Sequence, residues 1–77
     1  MKSKDTVGEI IETRGVTRAY LAKKLGYSGP SSISERLSKD PKTDLRVDTL
    51  VKFLEALDCT LVVRSNLKDK KEWVIDA

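Results

Sequence analysis

The stretch TRAYLAKKLGYSGPSSISERLS, residues 17–38, places short hydroxyl side chains beside cations at helical spacing. Ser31 and Ser32 can donate or accept hydrogen bonds, and Glu35 can accept from an amino group such as that of cytosine. Thr17, Arg18, Ser28 and Arg36, followed by Lys39, Lys42 and Arg46, are the residue types that hold phosphate oxygens. The chemistry on offer is therefore hydrogen bonding to base edges together with neutralisation of a phosphate backbone. Glu35 repels phosphates, so it either reads a base or marks a helix that stays out of the groove. A polar face of this kind on an isolated helix is ordinarily no more than a solvated surface.

Other chemistries lack their parts. No histidine occurs, which removes Ser/His and Cys/His nucleophilic pairs and the usual zinc sites. Cys59 is the single cysteine, so no internal disulfide forms, and its place at a strand start suits a small buried hydrophobe. Asp5, Glu9, Glu12, Glu55 and Asp58 are scattered over helices and caps without the paired spacing of general acid–base catalysis. The expectation is a protein that is not an enzyme, with no cofactor and no metal.

These side chains need a scaffold, and 77 residues allow one small domain whose helices share a core. Charged residues at 35% against 39% hydrophobic suit a globular chain rather than a disordered one. Fifteen Lys and Arg against twelve Asp and Glu leave +3, an excess too small to identify a nucleic-acid binder by itself. No apolar run spans a bilayer, and MKSKD lacks the apolar stretch of a signal peptide, so a cytoplasmic protein without membrane contact is expected.

Thr6, with Glu9 three residues on, reads as a capping box opening a first helix over about Val7 to Arg14, and Gly15 as its left-handed stop. Thr17 caps a second helix, with Ala19, Tyr20, Leu21, Ala22 and Leu25 as its apolar stripe and Gly26 at its end. Ser28-Gly29-Pro30 supplies loop, cap and first position of a third helix running to about Ser38. Ile33 and Leu37 face the core there, and at about 100° per residue Ser31, Glu35, Ser38 and Lys39 fall opposite. Asp40–Asp44 reads as a loop, after which Val47, Leu50, Val51, Phe53, Leu54 and Leu57 mark a central fourth helix, apolar over an arc wide enough to leave a face for a partner.

From Cys59 the pattern turns β-branched. Pairing Leu61 with Ile75 also pairs Val62 with Val74 and Val63 with Trp73, which predicts an antiparallel hairpin with Leu67-Lys68-Asp69 as its loop. Leu61, Val63, Trp73 and Ile75 are expected to cover the helices, leaving Val62 and Val74 outside among Thr60, Arg64, Glu72 and Asp76. Residues 1–58 thus form a helical bundle, and residues 59–77 a hairpin integrated with it that also offers open edges for dimerisation.

Residues Thr17 to Gly26 resemble the T-Q-x-x-L-A-x-x-L-G of the Cro/repressor-type helix-turn-helix, or XRE, family in every position but the glutamine. The resemblance continues through Val47 to Leu57 and covers about residues 6 to 58. It implies a mostly α fold, a four-helix Cro/repressor-like bundle, here followed by the hairpin. It also implies a DNA-binding transcriptional regulator, a repressor binding a palindromic operator in double-stranded DNA as a homodimer. Arg18 stands where the family's glutamine contacts a phosphate and buttresses the recognition helix. An arginine keeps the first role and alters the second. The turn before Ile33 is one residue longer than in many members, which puts Pro30 at a usual base-reading position and shifts that role to Ser31, Ser32 and Glu35. Thr17, Arg18, Ser28, Arg36, Lys39, Lys42 and Arg46 are then the phosphate contacts, and Phe53, Val62, Arg64 and Val74 the dimerisation residues. A second reading is the antitoxin of a toxin–antitoxin pair, which binds its own promoter through the same motif and a toxin protein through the hairpin or the fourth helix.

Overall fold

The computed structural model describes residues 2–38 and 43–76. Four helices come first, α1 (Ser3–Arg14), α2 (Arg18–Leu25), α3 (Pro30–Arg36) and α4 (Val47–Ala56), and then an antiparallel pair, β1 (Leu61–Arg64) and β2 (Glu72–Ile75). The mostly α architecture with a terminal hairpin agrees with the sequence-based expectation.

Local chemistry explains most boundaries. The Thr17 hydroxyl accepts the Tyr20 N–H at 3.1 Å, satisfying one donor that the start of α2 would otherwise leave unpaired. Gly15 and Gly26 follow α1 and α2 with φ of 64° and 78°, a conformation that a Cβ disfavours. Pro30 occupies the first turn of α3, where its missing N–H costs nothing. After α4 the left-handed residue is Asp58, with φ of 59°, whose short polar side chain tolerates this region better than most. Asp58 and Cys59 donate to the Glu55 and Leu54 carbonyls at 3.0 and 2.7 Å, closing the helix and turning the chain into β1.

The start of α1 differs from expectation. The helix begins at Ser3, so Thr6 lies inside it, and the Thr6 hydroxyl donates back to the Lys2 carbonyl at 3.4 Å instead of capping. The cap comes from elsewhere in the chain: the Asp44 carboxylate accepts the N–H groups of Ser3 and Lys4, each at 3.0 Å. At the other end of α1, Arg14 Nη1 donates to the Leu57 carbonyl just beyond α4. The two links hold α1 and α4 side by side with the same polarity.

Between them lies the core, Val7, Ile11, Leu21, Ala22, Ile33, Leu50, Phe53, Leu54, Ala56 and Leu57. Phe53, Leu21, Ile33 and Val7 are its largest fully buried side chains. Most of the wide apolar arc of α4 is thus consumed inside the chain, with Leu50, Val51, Phe53, Leu54 and Ala56 all buried, while Val47 in its first turn stays exposed. Of the α2 stripe only Leu21 and Ala22 are buried, with Leu25 half-buried, while Ala19 and Tyr20 face solvent. α3 stops at Arg36, two residues before the expected end at Ser38.

The hairpin register is the expected one, Leu61 with Ile75, Val62 with Val74, Val63 with Trp73 and Arg64 with Glu72. Its loop is not. The ladder closes at Ser65, whose N–H reaches the Lys71 carbonyl at 2.8 Å, and the Lys70 N–H then bonds to the Leu67 carbonyl at 3.2 Å. Lys70 takes the left-handed conformation, φ 51°, at the position where glycine is usual. Of the four residues expected to cover the helices, Leu61 is half-buried against the helical core and Ile75 is half-buried, whereas Val63 and Trp73 remain exposed. The ribbon therefore reaches beyond the bundle, in keeping with overall extents of 44 × 26 × 22 Å.

Candidate nucleic-acid interface

α2 and α3 are set by the turn between them. The Tyr27 N–H bonds to the Ala22 carbonyl at 2.8 Å across left-handed Gly26, which reverses the chain tightly. Ile33 is then pulled fully into the core and Leu37 is half-buried beside it. With those two residues inward, Ser31, Ser34, Glu35 and Ser38 are exposed and Ser32 is half-buried on the flank. The outward face of α3 is short-chained and polar, as the helical spacing implied.

Two contacts fix the edge of that face. Ser28 Oγ and Ser32 Oγ lie 3.4 Å apart, tying the turn to α3. Arg36 donates from Nη1 to the Ser32 carbonyl at 3.1 Å, and its guanidinium stacks over the Tyr27 ring, 4.3 Å from the centroid. Tyr27 in turn meets Phe53 edge-on, with ring centroids 6.3 Å apart and planes at 68°. Arg36 is thus held by a chain of contacts rooted in the core, yet it stays exposed and can face a phosphate. Sequence reasoning missed Tyr27 as this platform. The available signal was an aromatic directly after a glycine helix stop, the place where a hydrophobic contact often accompanies the cap.

The remaining residues separate into groups. Thr17 serves as the cap of α2 and is exposed. Arg18 is exposed in a groove whose other walls are Lys4, Asp5, Gly8, Glu9, Glu12 and Leu37, so it sits beside three carboxylates of α1, none within ion-pair distance. Those charges lower the positive potential at Arg18 and weaken its pull on a phosphate. Arg46 precedes α4 and lies 3.7 Å from Asp48, an exposed pair that contributes little to stability. Lys39 and Lys42 lie outside the described residues. Of the residues expected to dimerise, Phe53 is fully buried and has no surface to offer a partner, whereas Val62, Arg64 and Val74 are exposed on the hairpin. The reason is that α4 spends its apolar arc on its own core.

Asp44 was also missed as anything beyond a loop residue. Burial disfavours its charged form, but the N–H groups of Leu45, Lys4 and Ser3, aided by the charge of Lys2, outweigh that and hold its carboxyl below the ordinary 3.8. No local sequence signal announces a cap for a helix 41 residues earlier.

A family model described as helix-turn-helix matches residues 7–63, from within α1 into the hairpin. The chain belongs to this helix-turn-helix family. No curated protein and no solved structure matches it. The helix-turn-helix protein is accordingly a DNA-binding transcriptional regulator of Cro/repressor type, with α2 and α3 as the two helices of its motif. Among the described residues of the helix-turn-helix protein, no helix is long and apolar enough to cross a membrane.

Proposed function

We propose that this helix-turn-helix protein is a repressor that binds a palindromic operator as a homodimer, with α3 lying in the major groove. The outward face of α3 carries the reading: Ile33 and Leu37 turn inward and leave Ser31, Ser32 and Glu35 at the surface, flanked by Arg36. Ser31 and Ser32 donate to or accept from base edges, and Glu35 accepts from a cytosine amino group. Thr17, Arg18, Ser28, Arg36 and Arg46 hold phosphates on either side, with Lys39 and Lys42 extending the series in the sequence. Neutralising four or five phosphates with the cations of this set gives a log–log salt slope of roughly −4 to −5 per subunit. Doubling the footprint through a dimer brings two half-sites together about one helical turn apart.

The experiment is selection of bound duplexes from a random pool at moderate salt, followed by sequencing. An enriched inverted repeat is the expected result. Weak, salt-sensitive binding with no enriched sequence would mean that the serine face is only solvated.

A further inference from the structure

The positive charge of the chain lies in two separate places. Residues 17–38, the helix-turn-helix motif, hold four cations against Glu35, and residues 65–71, the tip of the hairpin, hold Lys68, Lys70 and Lys71 against Asp69. The two places carry +3 and +2, so the rest of the chain sums to −2. The three tip lysines are exposed, and among the described residues none has a carboxylate within ion-pair distance. Arg64 and Glu72, opposite each other at the end of the ladder, balance and bound the patch. Three hydrogen bonds fix the shape of the tip: the Ser65 N–H to the Lys71 carbonyl at 2.8 Å, the Leu67 N–H to the Ser65 hydroxyl at 3.1 Å, and the Lys70 N–H to the Leu67 carbonyl at 3.2 Å. Lysines on a fixed turn repel one another, and a polyanion relieves that repulsion while ordering little that was free.

We infer that this tip holds phosphates of the bound duplex outside the base pairs that α3 reads. The assignment deepens the operator reading above and rests on it. Duplex DNA presents one negative charge per about 1.7 Å of helix axis, so one stretch of backbone meets several lysines of a single turn. The hairpin adjoins α4, across a cleft lined by Val51, Leu54, Leu61 and Ile75, and its tip reaches beyond the bundle. The longest extent of the molecule is 44 Å, more than the roughly 34 Å of one turn of DNA. A chain with α3 in the groove therefore has the length to touch backbone beyond its own half-site. Lysines that meet phosphates carry no sequence information, so the tip adds affinity and leaves base preference to α3. Neutralising three further phosphates adds about 2 to 3 to the magnitude of the salt slope per subunit.

The test is the salt dependence of binding by the full chain to two duplexes, the selected operator trimmed to its enriched sequence and the same operator extended by about one helical turn on each side. Lys68→Gln, Lys70→Asn and Lys71→Gln are combined, with asparagine at position 70 because it tolerates the φ of 51° there. Circular dichroism checks that the fold persists. On the extended duplex the triple variant should lose about 2 to 3 of slope per subunit, on the trimmed one it should match wild type, and it should select the same sequence. Emission of Trp73, the chain's one tryptophan and two residues from Lys71, should change on the extended duplex alone. Lys52→Gln, which removes an exposed cation of α4, should leave the slope where it was. Equal slopes for wild type and triple variant on the extended duplex, or a loss as large on the trimmed one, overturn the inference, while an enriched inverted repeat keeps the operator reading. A Lys52→Gln effect of the same size per charge makes the loss one of overall charge and overturns it too. With no sequence enriched the operator reading falls, and a slope loss by the triple variant on an extended random duplex would still support the hairpin grip. Bridging to a second duplex, or anionic vesicles bound in place of DNA, also overturns the inference.

Discussion

Asp44 and Ser3 are 41 residues apart in sequence, yet the carboxylate of one accepts the backbone N–H of the other at 3.0 Å. The segment entering α4 thereby closes the start of α1. Asp44→Asn removes the charge that these donors favour and should lower the melting temperature at neutral pH. The folded-state pKa is depressed, so this contribution is present above the unfolded value of 3.8 and lost as pH falls through the lower folded value. Wild type and variant should therefore differ in melting temperature near pH 7 and converge in strong acid. An equal gap at both extremes would show that the carboxylate charge is not what stabilises α1.

Thr17→Ala deletes the cap of α2 and should cost about 1 kcal/mol, read from urea unfolding, with Thr17→Ser close to wild type. Because Thr17 is also a proposed phosphate contact, DNA affinity should be compared at a denaturant-free temperature well below the transition.

Phe53 is fully buried where α4 meets the motif, and Phe53→Ala should cost about 3–5 kcal/mol, enough to abolish cooperative folding in so small a chain. Phe53→Leu should retain a cooperative transition at a lower midpoint. Full stability in the alanine variant would show that the core does not depend on this ring.

The stack of Arg36 on Tyr27 makes a separable prediction. Tyr27→Leu keeps the apolar contact with Phe53 but loses the aromatic face, and should reduce stability by about 0.5–1 kcal/mol. If Arg36 holds a phosphate, Arg36→Ala should lower the magnitude of the salt slope by about 1 and weaken all sequences alike. An unchanged slope would confine Arg36 to buttressing the turn.

Base reading and phosphate holding predict different signatures on the same selected operator. Ser31→Ala or Glu35→Ala should relax preference at particular base pairs, each by about 1–3 kcal/mol of discrimination. Arg18→Ala should weaken every sequence equally, and by less than Arg36→Ala, because Arg18 stands beside Asp5, Glu9 and Glu12. Competition binding with single-base operator variants distinguishes the two.

What the amino-acid sequence determined by itself is what neighbouring residues decide. Thr17, Gly26 and Pro30 set the motif's boundaries because caps and left-handed stops act within a few bonds, and the hairpin register followed from apolar residues that match in one alignment. The two-sided character of α3 was legible for the same reason, since helical spacing alone separates Ile33 and Leu37 from Ser31 and Glu35. Tertiary structure decided whatever depends on distant groups meeting. Thr6 looks like a cap because its spacing to Glu9 is right, but Asp44 satisfies the first donors of α1 earlier in the chain, and the helix starts there instead. Arg36 looks free in the sequence and is stacked on Tyr27 in the fold. α4 looks wide enough for a partner, yet packing inside the chain, chiefly against α1 and α2, buries most of its apolar arc, while Trp73 and Val63 look like core and extend past it. Periodicity says which side of an element is apolar; only the packed arrangement says whether the chain has enough of itself to cover it.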